Sequence, residues 1–390
     1  LAACSTVREP APVVCPACAV CPQCPVQPVP PVAQPSTKPM QAARWSDLPG
    51  WTEDDLRAAW PAFLQSCRGL ASKSQWLLWR PACDEAKALP ANDSAALRRF
   101  FESRFEPYLL TNPDATTSGL VTGYYEPLLH GSRSRTTAYA QPLLGVPPDL
   151  LSIELSDVMP ELKNMRLRGR LQGNKVVPYY SRADITAREK DFSERVLLWV
   201  DDAVELFFLQ IQGSGRVKLP DGKLVRVGYA DQNGHPYQSV GRVLIDRGEL
   251  KLEQASMQGI QAWARANPAK LNEVLNTNPS YVFFREVPSN GNEKEGPQGA
   301  LGVPLTGERS IAVDPRNVPL GAPVFLSTTQ PNSSAPLRRL MLAQDTGGAI
   351  RGVVRADFFW GFGPEAGAQA GRMKQQGQMW VLLPPGVAPK

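Results

Sequence analysis

Only two histidines occur in the 390 residues, His130 and His235, so a Ser-His-Asp triad or a multi-histidine metal site is hard to assemble. His235 sits in the polar run Asp231-Gln232-Asn233-Gly234-His235, where a structural hydrogen bond is its simplest use. Acid–base chemistry therefore falls to carboxylates, and glycosidic bond cleavage is the reaction class run almost wholly by them. Two carboxylates stand out. Asp345 ends an apolar stretch and runs into Gly347-Gly348. Twelve residues on, Asp357 is followed by Phe358-Phe359-Trp360-Gly361. Apolar neighbours disfavour the ionised form and push a carboxyl pKa upward, as a general acid near neutral pH requires. Aromatic faces also stack on sugar rings. The bland alternative makes Asp345 and Asp357 turn acids beside core aromatics, and residue types alone leave both readings open. Upstream, Gly123-Tyr124-Tyr125-Glu126-Pro127 and Gln210-Ile211-Gln212-Gly213-Ser214-Gly215-Arg216 combine polar groups with glycines that let a backbone approach a ligand closely.

These residues need elements to hold them. Folded sequence starts near Trp45. Thr52 and Asp55 resemble a capping box, and Leu56, Trp60, Phe63, Leu64 and Cys67 then share one helical face, which Pro61 is expected to kink or shorten. A second helix opens at Asn92–Ser94, lines up Leu97, Phe100, Phe101 and Phe105 as core, and stops by Pro107. From about residue 118 the texture becomes strand-like. Glu205, Phe207, Leu209 and Ile211 read as one strand face, and Val217–Leu219, Pro220-Asp221-Gly222 and Leu224–Val227 as a hairpin. Helical stretches follow at Val240–Arg247 and Leu252–Ala266. Strands resume at Tyr281–Arg285, Ala322–Ser327, Leu337–Ala343 and Met379–Leu383. This order predicts a mainly β body with peripheral helices and not an alternating parallel sheet.

Composition narrows the classes. At 43% hydrophobic and 20% charged, the chain can bury one large core or two modest ones. The formal net charge of +5 suits an anionic polymer, but Lys and Arg are scattered, so no nucleic-acid partner is expected. Residues 1–40 hold ten of the 38 prolines and read as an extended tether. Leu1-Ala2-Ala3-Cys4 reads as the tail of a lipoprotein signal, with Cys4 receiving lipid and Ser5 permitting delivery to the outer membrane. Cys15, Cys18, Cys21 and Cys24 have a spacing that could hold a soft metal. Their prolines and the lack of nearby His favour a low-complexity tether with disulfides, so no metal site is expected. Cys67 and Cys83 could pair, which the sequence does not decide.

Seven blocks, in order over residues 118–384, carry a resemblance. They are Gly123–Pro127, Gln212–Gly215, Tyr229–Tyr237, Asn278–Phe284, Val303–Leu305, Asp345–Ile350 and Gly363–Gly367. The set resembles the membrane-bound lytic murein transglycosylase A family. The resemblance implies a double-psi β-barrel domain with a second, inserted β domain and a groove between them. The implied parts are a tether over 1–40, the first part of the barrel domain over 41–130, the insert over 131–282 and the second part over 283–390. It also implies a three-aspartate signature, here Asp314, Asp345 and Asp357, with the catalytic acid on Asp357, Asp345 supporting it and Asp314 structural. Tyr124, Gln212, Ser214, Tyr229 and Asn233 are the expected groove-lining residues, and Glu126 is not made catalytic. The implied activity is non-hydrolytic cleavage of peptidoglycan glycan strands without a cofactor. The implied form is a monomer anchored through Cys4 at the periplasmic face of the outer membrane.

Overall fold

The computed structural model describes residues 38–387, apart from 163, 164, 166 and 289–294. Cys4 and the four tether cysteines lie outside the described residues.

Six strands close on themselves. The ring runs Lys374–Leu383, Pro323–Thr329, Pro336–Asp345, Ser310–Val313, Ala356–Phe362, Gly119–Glu126 and back to Lys374–Leu383. Two of its pairings are parallel, Ser310–Val313 with Pro336–Asp345 and Ala356–Phe362 with Gly119–Glu126, and the rest antiparallel. This is the double-psi β-barrel. Closure removes the exposed edges an open sheet would carry. Its interior is filled from one face of each strand, with Val324, Met341, Phe358 and Val381 fully buried, and Phe325, Leu340 and Leu342 on the opposite face are fully buried as well. Met40–Ala42 and Glu106–Leu110 extend the sheet from the Lys374–Leu383 strand.

Three helices, Leu56–Leu70, Trp76–Ala86 and Ser94–Arg104, pack on this barrel through Trp60, Phe63, Trp79, Phe100 and Phe101. The first begins at Asp55, whose side chain accepts from the Arg57 N–H; Thr52 plays no part in the cap. Pro61 neither ends nor shortens it, and the helix continues nine residues further to Leu70. The Trp76–Ala86 helix was not legible in the sequence, because it too carries an internal proline, Pro81. Cys67 and Cys83 form a disulfide joining the first two helices.

The second domain is built on a six-stranded sheet, ordered Val282–Val287, Leu224–Gln232, Ser214–Lys218, Leu128–Ser132, Val196–Val200 and Gln141–Leu144. Its sheet thus begins three residues before, and ends five residues after, the expected 131–282. The hairpin closes as expected, with Lys218 opposite Leu224 and Gly222 at positive φ in the turn.

The helix expected over Leu252–Ala266 starts only at Met257, capped by Ser256, after a separate turn at Leu252–Gln254. A further expectation fails. Ala203–Gln212 is a helix, not a strand. Asp202 caps it by accepting from the Val204 and Glu205 N–H groups, and Gly213, at φ 80°, ends it. The helix is wedged between two apolar clusters, Leu206 and Leu209 facing one, Val204 and Phe207 the other. Burial on two sides hides the usual amphipathic period and mimics alternation. Among the described residues, no helix is long and apolar enough to cross a membrane.

Candidate active site

The barrel brings Asp345 and Asp357 into one row. Ala312 pairs with Asp345 on its parallel side and with Asp357 on its antiparallel side. The two acids are therefore two strand spacings apart, about 10 Å between Cα atoms. Asp357 in turn pairs with Thr122 on the next strand, whose hydroxyl donates to Asp357 Oδ1 at 2.6 Å. Thr122 accepts from Arg355 Nη2 at 2.9 Å, so a chain of hydrogen bonds runs from a guanidinium to the carboxyl.

Asp345 is held differently. The Tyr124 hydroxyl donates to its Oδ2 and the Ala300 N–H to its Oδ1, each at 3.0 Å. The Thr346 N–H also donates to it. Gln344, next to it, is fully buried. It donates to the Ala62 carbonyl and Ser66 Oγ and accepts from Ser310 Oγ, which pins the strand end to the first helix.

Both acids keep a little solvent contact, yet both are strongly desolvated, which describes a recess. Burial drives the Asp357 carboxyl up to about 6, and the Asp345 charge adds to it, while the Thr122 hydrogen bond and the Arg355 cation pull the other way. Burial also raises Asp345, against the three donors that favour its charged form. Tyr124 is raised well above the usual tyrosine range, first by burial and then by both acids, so it stays a donor. Three donors hold the Asp345 carboxylate, whereas a single hydroxyl meets that of Asp357.

Asp314, the third signature acid, is fully buried. It takes a two-pronged bond from Arg316 and accepts the Gly352 N–H at 3.0 Å, so it ties down the loop between Asp345 and Asp357. Arg316 is the chief cause of its value near 2.

The other expected residues divide. Tyr124 bonds Asp345 and feels the charge of both acids. Gln212 Oε1 accepts from the Tyr125 N–H at 3.2 Å, bringing the end of the Ala203–Gln212 helix against the barrel strand. Ser214 and Tyr229 flank the same turn, with Tyr229 N–H donating to the Gly213 carbonyl at 2.6 Å. Asn233 does not belong with them. It is 1% exposed, and its side chain is consumed by the Tyr180 and Pro279 carbonyls and the Tyr281 N–H. A groove needs free polar groups, and this amide has none to offer a ligand. His235 Nε2 lies 2.7 Å from the Tyr179 carbonyl, a structural use. Thr122 and Arg355 were missed. A surface concavity of about 550 Å³ walled by Asp54, Arg309 and Arg338 touches none of the signature acids, and Arg309 there is already closed in an ion pair with Asp54.

Thr122→Val tests this wiring. Losing a hydrogen bond to the charged form costs the carboxylate roughly 1.5 kcal/mol, so the Asp357 pKa is expected to climb to about 7. Carboxyl-carbon NMR titration reads it directly, and a value still near 6 would show that Thr122 does not set it.

Residues 120–285 match the family model described as the MltA specific insert domain, and residues 309–383 match the 3D domain. The chain is 34% identical over 269 residues to membrane-bound lytic murein transglycosylase A of Escherichia coli K12, covering 67% of this chain and 64% of that relative. The matched stretch thus spans a little under two thirds of that relative's length. Among solved structures, MltA from Neisseria gonorrhoeae superposes with a TM-score of 0.78 at 39% identity, covering 92% of this chain and 98% of that one. E. coli MltA with bound chitohexaose superposes at 0.63 and 28% identity, covering 90% and 95%. A closed six-stranded barrel carrying the three aspartates, interrupted by this insert, places the chain in the membrane-bound lytic murein transglycosylase A family.

Proposed function

We propose that the chain is a lytic transglycosylase that cleaves the β-1,4 bond between N-acetylmuramic acid and N-acetylglucosamine in peptidoglycan, with Asp357 as the one acid and base. The observation that carries this reading is the asymmetry of the acids: Asp357 is desolvated, raised to about 6 and held by a single hydroxyl, whereas three donors engage Asp345.

Protonated Asp357 gives its proton to the glycosidic oxygen as the bond from that oxygen to the anomeric carbon breaks. Positive charge builds at the anomeric carbon, where the substrate's acetamido oxygen and the Asp345 carboxylate stabilise it. Asp357, now ionised, takes the proton of the muramic acid 6-hydroxyl as that oxygen attacks the anomeric carbon, giving a 1,6-anhydro end. The acid is restored and no water is consumed. The nucleophile belongs to the substrate, so its approach costs little entropy. Asp345 serves as a fixed negative charge and Arg355 steadies Thr122. The reaction invokes no cofactor.

The glycan partner is supported by the E. coli relative solved with chitohexaose, and a membrane address by the relatives' names. We extend this to anchoring through Cys4 at the periplasmic face of the outer membrane, as a monomer. The Cys67–Cys83 disulfide fits an oxidising compartment of that kind.

Strand spacing fixes the Cα atoms of the two acids and not the carboxyl separation by which hydrolases are classed, so it does not divide this reading from hydrolysis. The products do. Digestion of purified sacculi followed by mass analysis is expected to give muropeptides with anhydro ends, each one water lighter than a reducing end. Reducing ends would make the protein a hydrolase and give Asp345 the role of base.

A further inference from the structure

The strand that carries Asp357 ends in an aromatic that the reaction does not use. Along Ala356–Phe362, Ala356 and Phe358 turn into the barrel core, while Asp357 and Phe359 face the other way. Simple alternation would send Phe362 to the core side. It does not go there, because the strand bulges. Phe359 pairs with Tyr124 and Phe362 with Glu126, so three residues on one strand match two on its partner. A bulge of one residue reverses the facing of everything beyond it. Gly361 at φ 107° and Gly363 at φ 87° bracket Phe362 and supply the backbone freedom for this. Thr122, Tyr124 and Glu126 share one face of the partner strand, so Asp357, Phe359 and Phe362 form a matching file.

Phe359 is 1% exposed but Phe362 is 40% exposed. The ring of Phe362 is also fixed. The Arg216 guanidinium lies over it at 3.9 Å, and Arg216 is itself clamped by Glu126 at 2.8 Å. One face is thus backed by a buried ion pair that joins the insert to the barrel. Five residues with one absorbed by the bulge put Phe362 about 13 Å from Asp357 along the strand, a span of a few sugar rings.

We propose that Phe362 is a stacking platform for a pyranose ring of the glycan, at a subsite remote from the bond that is cut. The inference rests on the glycan reading above. A rigid, half-open aromatic has little conformational entropy to lose on binding, and its free face suits the C–H face of a sugar. The subsite matters only for chains long enough to reach it from Asp357.

The test is binding of chitotriose and chitohexaose to the full chain by calorimetry. Phe362→Ala is expected to weaken chitohexaose about tenfold and so shrink the hexamer's advantage over the trimer. Phe362→Tyr should restore it. Phe362→Leu, which keeps an apolar cover over Arg216 but no ring, should behave like alanine while melting like the parent. If wild type and Phe362→Ala bind chitohexaose equally, the subsite is refuted and the glycan reading stands. If Phe362→Leu binds like wild type, stacking is refuted. If the wild-type chain binds neither oligomer, the glycan reading fails and takes this inference with it.

Discussion

Replacing Asp357 by asparagine is expected to lower sacculus turnover at least about 10³-fold while making the protein more stable at neutral pH. The amide keeps the shape and can still meet the Thr122 hydroxyl, but it has no proton to give the leaving oxygen. The stability gain follows from linkage. Burial raises the folded-state carboxyl from 3.8 to about 6. A folded value above the unfolded one means the native state binds the proton more tightly, so this group's favourable contribution is complete below about 3.8 and lost as pH rises through about 6. Above that window the wild type bears an ionised carboxylate in a desolvated recess, a cost on the order of 3 kcal/mol. Asparagine carries none. Thermal melts should therefore show the variant ahead by a few degrees at pH 7.5 and level with wild type at pH 4. Wild-type turnover should fall about tenfold per pH unit above about 6, as the acid form disappears. Wild-type-like turnover in the variant would remove Asp357 from the reaction, and a variant less stable at pH 7.5 would contradict the account of its pKa.

The same comparison shows how far residues alone could lead. Asp357 was legible as a candidate because its apolar neighbours are adjacent in sequence, and the resemblance chose it over the bland reading. The groups that tune it were not, because Thr122 lies 235 positions away and Tyr124 lies 221 from Asp345. Only the register of a closed barrel brings them together, and no local pattern encodes that register. The barrel strands Pro323–Thr329 and Pro336–Asp345 were visible as apolar runs, whereas the closed topology came from the resemblance. The helix Ala203–Gln212 misled because it is buried on two sides. Asn233 misled for another reason: the resemblance put it in the groove, and here it knits three backbone segments together. Phe362 could not be placed at all, since a single bulge decides which way it faces.

The pair that backs Phe362 supports a further large effect. Glu126 and Arg216 are 1% and 3% exposed, and they join the end of a barrel strand to the Ser214–Lys218 strand of the insert. A buried ion pair often adds little against an apolar replacement, but breaking one side strands a charge. Arg216→Met is therefore expected to destabilise the protein by about 3 kcal/mol, toward the low end of the usual 3–5 because Arg226 lies 3.6 Å from the other Glu126 oxygen and offers partial compensation. The double variant Glu126→Leu with Arg216→Met removes both charges and should recover most of that loss. Urea unfolding of wild type, both singles and the double gives the coupling energy from the cycle. Strict additivity, with the double as unstable as the two singles summed, would mean that the pair does not act as a unit and that its role at the junction is packing alone. Strong coupling would show that the pair acts as one unit at the junction of the two domains, in the same contact that holds the Phe362 ring in place.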